Sequence, residues 1–469
     1  MQTLQEYISV KYNNDICWFE QEVNQGGNSQ RISAAVNNMN YLLGHHKILL
    51  REDTKYKGEV LATKKLILNQ AKTILNFHAT YLLGNPLTLT GSDAKVKAYQ
   101  DIYRKGHYAD IDFKVLDTAI KLADSYEYVY INDKKNIVSK IIDTDSSFPI
   151  YSEDTGEYIG FIESYTSNSS KVTYYNVYSI DSVDSYSNEG SEIHLKSSKV
   201  NLSGLPIHYS NGESAYKNFG VSLLDDLIPL FNEYEDIMSK MSDSIYILTL
   251  NPIPVITGSS VEGSIPANAV GYSLNLDNGG MTYASAVIDS ATVKLYLDKL
   301  QQQLSIISSM PSIAMGNSNV ANVSEVSLKL LYQLADVMAM LNERWIRRGL
   351  VQRFDMFDKL LDVLGKSVND EDYVDVEFNY SRPVNAKELL DEIAIQFKMG
   401  AISVKTIIEK SPITTDVMSE LGRIEAETKS KDAKAKKDGI ANGTLDVNGM
   451  PIVVNDGSNV GDDKTKVVI

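Results

Sequence analysis

Two acidic clusters are the first residues in this chain that could do chemistry. Asp225-Asp226 and Asp370–Asp372 (Asp-Glu-Asp) supply the carboxylates a two-metal nuclease gathers around ions about 4 Å apart. Such a centre needs carboxylates that converge. These lie on a helix face and in a loop, which describes solvated surface. The six histidines are scattered, and only His45-His46 are adjacent; sequence neighbours do not share a helical face. His78 falls on apolar rows and reads as a packing residue. Cys17 is the single cysteine, so no intrachain disulfide forms, and nothing pairs it with a base. GSNVGDDKT (457–465) holds glycine, lysine and threonine, but its spacing breaks the phosphate-loop rule and reads as flexible tail. No H-E-x-x-H zinc motif or G-x-S-x-G elbow occurs. These residues predict no catalytic centre, metal or cofactor.

Charge narrows the class further. The net charge is −16 and the isoelectric point is about 4.9. A protein that grips phosphates is basic on the relevant face, and this chain as a whole is the opposite. Arg344, Arg347, Arg348 and Arg353 gather around Trp345, and Arg344 and Arg348 share a helical face. Two readings stay open for them: an ion-paired helix face, or contact with DNA or a neighbouring subunit. No Lys or Arg occurs between Lys299 and Lys329. A loop in that interval would touch moving DNA without strong phosphate contacts, although an ordinary loop has the same composition. The 28 tyrosines suit strands and protein–protein surfaces.

These residues must be positioned by more than one domain, since 469 residues exceed what one core usually supports. No apolar run reaches the roughly 18–20 residues that span a bilayer, and the start lacks a signal-peptide pattern. Residues 1–125 read as mainly helical. Within them, Leu66, Ile74, Phe77 and Tyr81, and Ile67, Ala71, Leu75 and Leu82, fall on one helical face. Gly84 is expected to cap that helix in the left-handed conformation, and Asn85-Pro86 prevents continuation. Residues 126–210 read as an antiparallel layer of six or so strands, with 126–132 and 136–142 as a hairpin. Helix returns over 222–250, with one early proline, Pro229. A proline- and glycine-rich β-containing excursion covers 251–288, and helix follows from about Asp289 to Met310. The uncharged Pro311–Asn322 segment comes next. A helix of about 42 residues then runs to Gly365, with Asn322 and Glu325 as a capping box and Gly349 as the expected bend. An edge strand (373–380) and three short helices follow: one capped by Asn385 and ending at Gly400, one opened by Ser403, and one around Thr414–Thr428. Residues 429–469 read as disordered at first, with a hairpin at Asn448-Gly449. The fold class is α+β, mainly helical.

Four segments carry a resemblance: NYLLGHHKILLRE (40–52), LILNQAKTILNFHATYLLGNPLTL (66–89), NEYEDIMSKMSDSI leading to NPIPVITG (232–258), and AISVKTIIEKSPITTDVMSELGRIEAE (401–427). In this order the chain resembles the portal proteins of tailed bacteriophages, of the siphophage type, to about residue 427. Residues 165–215 and the tail beyond 428 stand outside the resemblance.

The resemblance implies a homo-oligomeric ring, usually of twelve subunits, at one capsid vertex, with double-stranded DNA passing through it. It implies a wing (1–221, with 323–382 as its long helix and edge strand), stem helices 222–250 and 289–310, a clip (251–288), a tunnel loop (311–322), a crown (383–428) and a flexible tail (429–469). Ser312, Met315, Asn317, Ser318, Asn319 and Asn322 would face DNA. Lys294 and Lys299 would lend guiding charge to the stem. Pro252, Pro254, Val255, Tyr272 and Tyr283 would dock partners, and Arg344, Arg347 and Arg348 would touch a subunit or DNA. Expected partners are the terminase large subunit, a head–tail adaptor, the major capsid protein and scaffold, with no membrane and no cofactor. The place would be the virion, with host cytoplasm during assembly. The alternatives are another capsid-vertex or adaptor protein, and a metal-dependent nuclease.

Overall fold

A computed structural model describes residues 2–56, 59–190, 192–212, 218–245, 253–258, 279–284, 289–311, 325–369, 371–383, 386–411, 414 and 417–441. The chain divides into two units, Met1–Asn322 with Lys329–Arg382, and Val323–Leu328 with Pro383–Ile469.

The first unit begins with helices α1 (Leu4–Tyr12), α2 (Trp18–Val23) and α3 (Gly26–Leu42) and a short 3-10 turn at Lys47–Leu50. Strands β1 (Thr54–Tyr56) and β2 (Glu59–Leu61) pair with each other. Helix α4 (Gln70–Leu83), strand β3 (Thr88–Gly91), and helices α5 (Asp93–Gly106) and α6 (Tyr108–Leu122) follow. Ile74, Leu75, Tyr81 and Leu82 of α4 are buried on the face their spacing predicted. The helix starts later than expected, however. Leu66 and Ile67 precede it, in a segment held against another helix by hydrogen bonds from Leu66 and Leu68.

Gly84 corrects a second expectation. It closes α4 in right-handed geometry, φ −66° and ψ −29°, not left-handed. Its need for glycine is close approach. A Cβ there would sit 2.3 Å from the Thr80 carbonyl oxygen and 2.9 Å from Ser381 Oγ, where the returning chain donates Ser381 N–H to Tyr81 O (2.8 Å).

The β region holds eight strands in two sheets rather than one layer of six. Strands β4 (Asp124–Ile131), β5 (Ile137–Ile142) and β11 (Ile207–Ser210) form a sheet of order β11-β4-β5. Strands β6 (Ser147–Tyr151), β7 (Tyr158–Thr166), β8 (Thr173–Tyr178), β9 (Ser182–Ser187) and β10 (His194–Val200) form an antiparallel meander. The predicted 126–132/136–142 hairpin is present, with Tyr128 opposite Lys140. Two apolar clusters hold this region. Phe19 and Trp18 pack with Ile150, Ile162 and Tyr175, and Tyr126, Ile142, Phe161 and Tyr178 close the second.

Helix α7 (Leu223–Ser244) leaves the main core, β12 (Ile253–Thr257) and β13 (Gly280–Ala284) pair, and α8 (Ser290–Ile307) returns. Helix α9 (Glu325–Val363) has 39 residues, about 58 Å if straight. It ends at Gly365 (φ +69°), with Lys366 N–H bonded to Leu361 O (2.9 Å), a left-handed cap. Gly349, expected as a bend, has another role: a Cβ there would lie 2.1 Å from the Tyr209 ring. The proposed capping pair at Asn322 lies outside the described residues. Strand β14 (Val374–Glu377) pairs with β3, Asp375 opposite Thr90. The main core joins α4, α6, α7 and α9 through Leu75, Leu116, Leu227 and Phe357.

In the second unit, α10 (Ala386–Lys398), α11 (Val404–Lys410) and α12 (Val417–Ala441) follow one another. Ser403 caps α11 by accepting from Thr406 N–H (3.3 Å). Helix α12 continues through 429–441, where disorder was expected. The lysines and alanines of this stretch favour helix more than its polarity suggests. Residues 442–469, with the expected hairpin, lie outside the described residues.

Candidate functional site

The candidate site is the α7–α8 pair and what anchors it. Ser222 caps α7 by accepting Leu224 N–H (3.1 Å) and donates its own hydroxyl proton to Lys121 O (2.7 Å). Leu224, Leu227 and Phe231 bury this end of the helix in the main core. On α8 the buried end is the other one: Leu304 is buried, as is Met310 just beyond it. His78 Nε2 lies 2.6 Å from Ser308 O and fastens that end to α4. Burial holds the His78 pKa below its ordinary value, against the opposing effect of that bond, so it is a packed residue as its position suggested. The two helices therefore leave and re-enter the core at adjacent ends. Farther out, Tyr296 Oη donates to Glu233 Oε1 (3.1 Å) across the pair.

A polar ladder runs along the outer length of α7. Its Glu235, Ser239 and Asp243 lie four residues apart on one face. They accept backbone N–H groups from Leu68 (2.7 Å), Leu66 (3.0 Å) and Lys64 (2.9 Å). Alternate donors of the segment meet successive turns of the helix, because both repeats advance about 6–7 Å. Arg51 pairs with Asp243 (2.7 Å), and His46 Nδ1 lies 2.7 Å from Glu235 Oε1. Reading His45-His46 as a pair missed this, since only the fold brings His46 to a residue 189 positions away.

The core holds a second unforeseen centre. Arg353, expected with the surface arginines, is wholly buried. Its Nε and Nη2 donate to Glu127 Oε2 (3.0 and 2.8 Å), and Nη1 donates to Asp112 Oδ1. Tyr209 Oη donates to the same Glu127 oxygen (2.7 Å). Burial raises the Asp112 pKa to about 6, even though Arg353 pulls it down. One guanidinium cannot neutralise two desolvated carboxylates. This centre ties α9 to α6 and β4.

The predicted residues divide as follows. Lys294 and Lys299 are exposed on α8. Five residues apart, they point about 140° apart around the helix and do not share a face. Lys299 donates to Gln302 Oε1 (3.1 Å). Pro254 and Val255 lie on β12, opposite Tyr283 and Thr282 of β13. Pro252, Tyr272, Ser312, Met315, Asn317, Ser318, Asn319 and Asn322 lie outside the described residues. Arg347 donates to Glu343 (2.8 Å), Asp375 (2.7 Å) and Val376 O (2.9 Å), so it fastens β14 to α9. Arg344 and Arg348 are exposed.

Asp225 and Asp226 are exposed, and Asp225 accepts from Asn38 (2.9 Å). Among the described residues no group of three or more His, Cys, Asp or Glu could hold a metal ion. No described helix is long and apolar enough to cross a membrane. Burial and the nearby Asp15 and Glu20 raise the Cys17 pKa, the direction that disfavours the nucleophilic thiolate.

These features amount to a locked core and a helix pair carried out from it on fixed roots. A family described as phage portal protein, SPP1 Gp6-like, matches residues 23–434, and the chain belongs to it. The portal protein of Bacillus phage SPP1 is 22% identical over 392 residues, covering 76% of this chain and 74% of the relative. Among solved structures, a chain from the neck of an empty gene transfer agent particle aligns with TM-score 0.46 at 11% identity, over 72% of this chain and 89% of that one. A chain of the native particle's virion aligns with TM-score 0.42 at 10% identity, over 80% and 91%. Family membership alone carries the conclusion that this is a portal component, a structural protein of the virion.

Proposed function

We propose that twelve copies close into a ring at one capsid vertex, through which double-stranded DNA is packaged and ejected. The observation that carries this reading is the α7–α8 pair, rooted in the core at one end and joined through the β12–β13 hairpin at the other. Paired helices repeated around an axis build a channel wall. In this arrangement 222–250 and 289–310 are the stem, 251–288 the clip that docks the terminase large subunit and later the head–tail adaptor, and 311–322 the loop toward DNA. Residues 1–221 and 323–382 form the wing. Residues 383–428 form the crown, toward capsid protein and scaffold during procapsid assembly. An acidic chain of net charge −16 suits a passage, since it does not hold the polymer it surrounds.

Native mass spectrometry with negative-stain imaging tests this. Twelve copies of 52.1 kDa give a closed ring of about 625 kDa with a central hole. A monomer or dimer persisting at high concentration and varied salt would overturn the ring.

A further inference from the structure

We infer that the outer stripe of α9 is an intersubunit seam that receives the α3 surface of the next copy in the ring. The inference rests on the ring reading above and names its interface.

Leu330, Leu334, Val337, Leu341, Arg344 and Arg348 follow one another at spacings of four and three. That repeat of 3.5 residues draws a single straight stripe, the pattern by which one helix seats another. The four apolar members are exposed, Leu330 to 68%, although the opposite face of α9 fills the main core with Ala335, Ala339, Trp345, Ile346 and Leu350. Isolated exposed leucines need no explanation, but a continuous apolar stripe marks a contact surface. The stripe also decides between the two partners open for Arg344 and Arg348. DNA offers phosphates and no apolar seat, whereas arginines beside an apolar line are what protein interfaces enrich.

A second, shorter stripe identifies the occupant. Val36 and Met39 on α3 and Leu43 just past its end are exposed at spacings of three and four, and Leu50 beyond is 81% exposed. Exposed carboxylates at Glu52 and Asp53 follow, with Lys47 the nearby exposed cation; Arg51 between them is paired with Asp243 (2.7 Å), and Asp53 accepts from Thr63 N–H (3.1 Å). One surface is apolar with two unspent cations; the other is apolar with two acids. A chain with two different complementary surfaces joins head to tail, which is the heterologous contact a ring requires.

The test uses the full chain with Cys17→Ser. Single cysteines at 334, 337 or 341 are combined with cysteines at 36, 39 or 43 and oxidised. At least one combination is expected to give a ladder of covalent multimers, with no ladder from either cysteine alone. Arg344→Glu with Arg348→Glu is expected to weaken ring association about tenfold or more. Adding Glu52→Arg and Asp53→Arg to the same chain restores it. Arg344 and Arg348 are exposed, so their charge reversal leaves the thermal midpoint of the isolated chain at the wild-type value; Asp53 accepts from Thr63 N–H (3.1 Å), so the midpoint of Glu52→Arg with Asp53→Arg alone is measured as the control. Intact rings with no ladder from any combination would overturn the seam while leaving the ring reading standing. So would charge reversal that spares rings but alters DNA retention, which would give the arginines to DNA. Failure of the wild-type chain to form rings at all would sink the underlying reading instead.

Discussion

Replacing Arg353 with methionine is the most informative single perturbation of this fold. The change keeps most of the side-chain length and removes the only cation bonded to Asp112 and Glu127 among the described residues. Both carboxylates are almost wholly buried. Breaking a buried ion pair by removing one partner costs about 3–5 kcal/mol, because the remaining charge is left uncompensated. For a chain of 469 residues, the unfolding entropy is about 1 kcal/mol per kelvin, so the midpoint should fall by about 3–5 °C if the chain melts as one unit. A smaller cooperative unit would shift further. Differential scanning calorimetry of Arg353→Met reads this directly. The cause is then separated by adding Asp112→Asn and Glu127→Gln. If stranded charge is the origin, the triple variant regains at least half of the loss despite carrying more substitutions. A midpoint within 1 °C of wild type for Arg353→Met, or a triple variant less stable than the single one, would refute the reasoning.

Asp112 also sets a pH dependence. Its folded pKa of about 6 lies above the ordinary 3.8, so the folded chain binds more protons than the unfolded one between those values. Stability from this group is therefore full at low pH and lost as pH rises from about 4 to 6, by about 3 kcal/mol. Urea unfolding of Asp112→Asn against wild type over that range should show the difference, and parallel curves would contradict it. Gly349→Ala should destabilise by about 1–3 kcal/mol, because Tyr209 is held by Glu127 and cannot yield. Gly27→Ala, in a helix with open space around it, should be neutral or stabilising by up to about 1 kcal/mol. Equal chemical-denaturation midpoints for the two alanines would count against that packing account. Lys294→Ala with Lys299→Ala should lower DNA retention in packaged particles at low salt, with the difference fading at high salt. Unchanged packaging and retention at both would remove the lysines from the channel's electrostatics.

The sequence by itself determined the elements whose signals are local. The apolar rows of α4, the Ser403 cap, the 126–142 hairpin and the glycine stop of α9 depend on residues within a turn or two of each other. Helical and strand periodicity express such neighbours directly. The order of the four matched segments also pointed to the portal family, which the family comparison then established. What the tertiary structure alone decided are the pairings across long stretches of chain. Four arginines near Trp345 look alike in sequence. In the fold one fastens a strand, two stay exposed, and Arg353 is buried against partners 226 and 241 residues away. Gly84 and Gly349 are glycines in either account. For Gly349 the reason lies in Tyr209, and for Gly84 Ser381 adds to the local approach of Thr80; both Tyr209 and Ser381 come from distant parts of the chain. The segment at 64–68 resembles the start of a helix until α7 offers its N–H groups a ladder of acceptors. In each case the deciding term is the desolvation of a polar or charged group, or the volume left for a side chain. Neither exists until the chain has closed on itself.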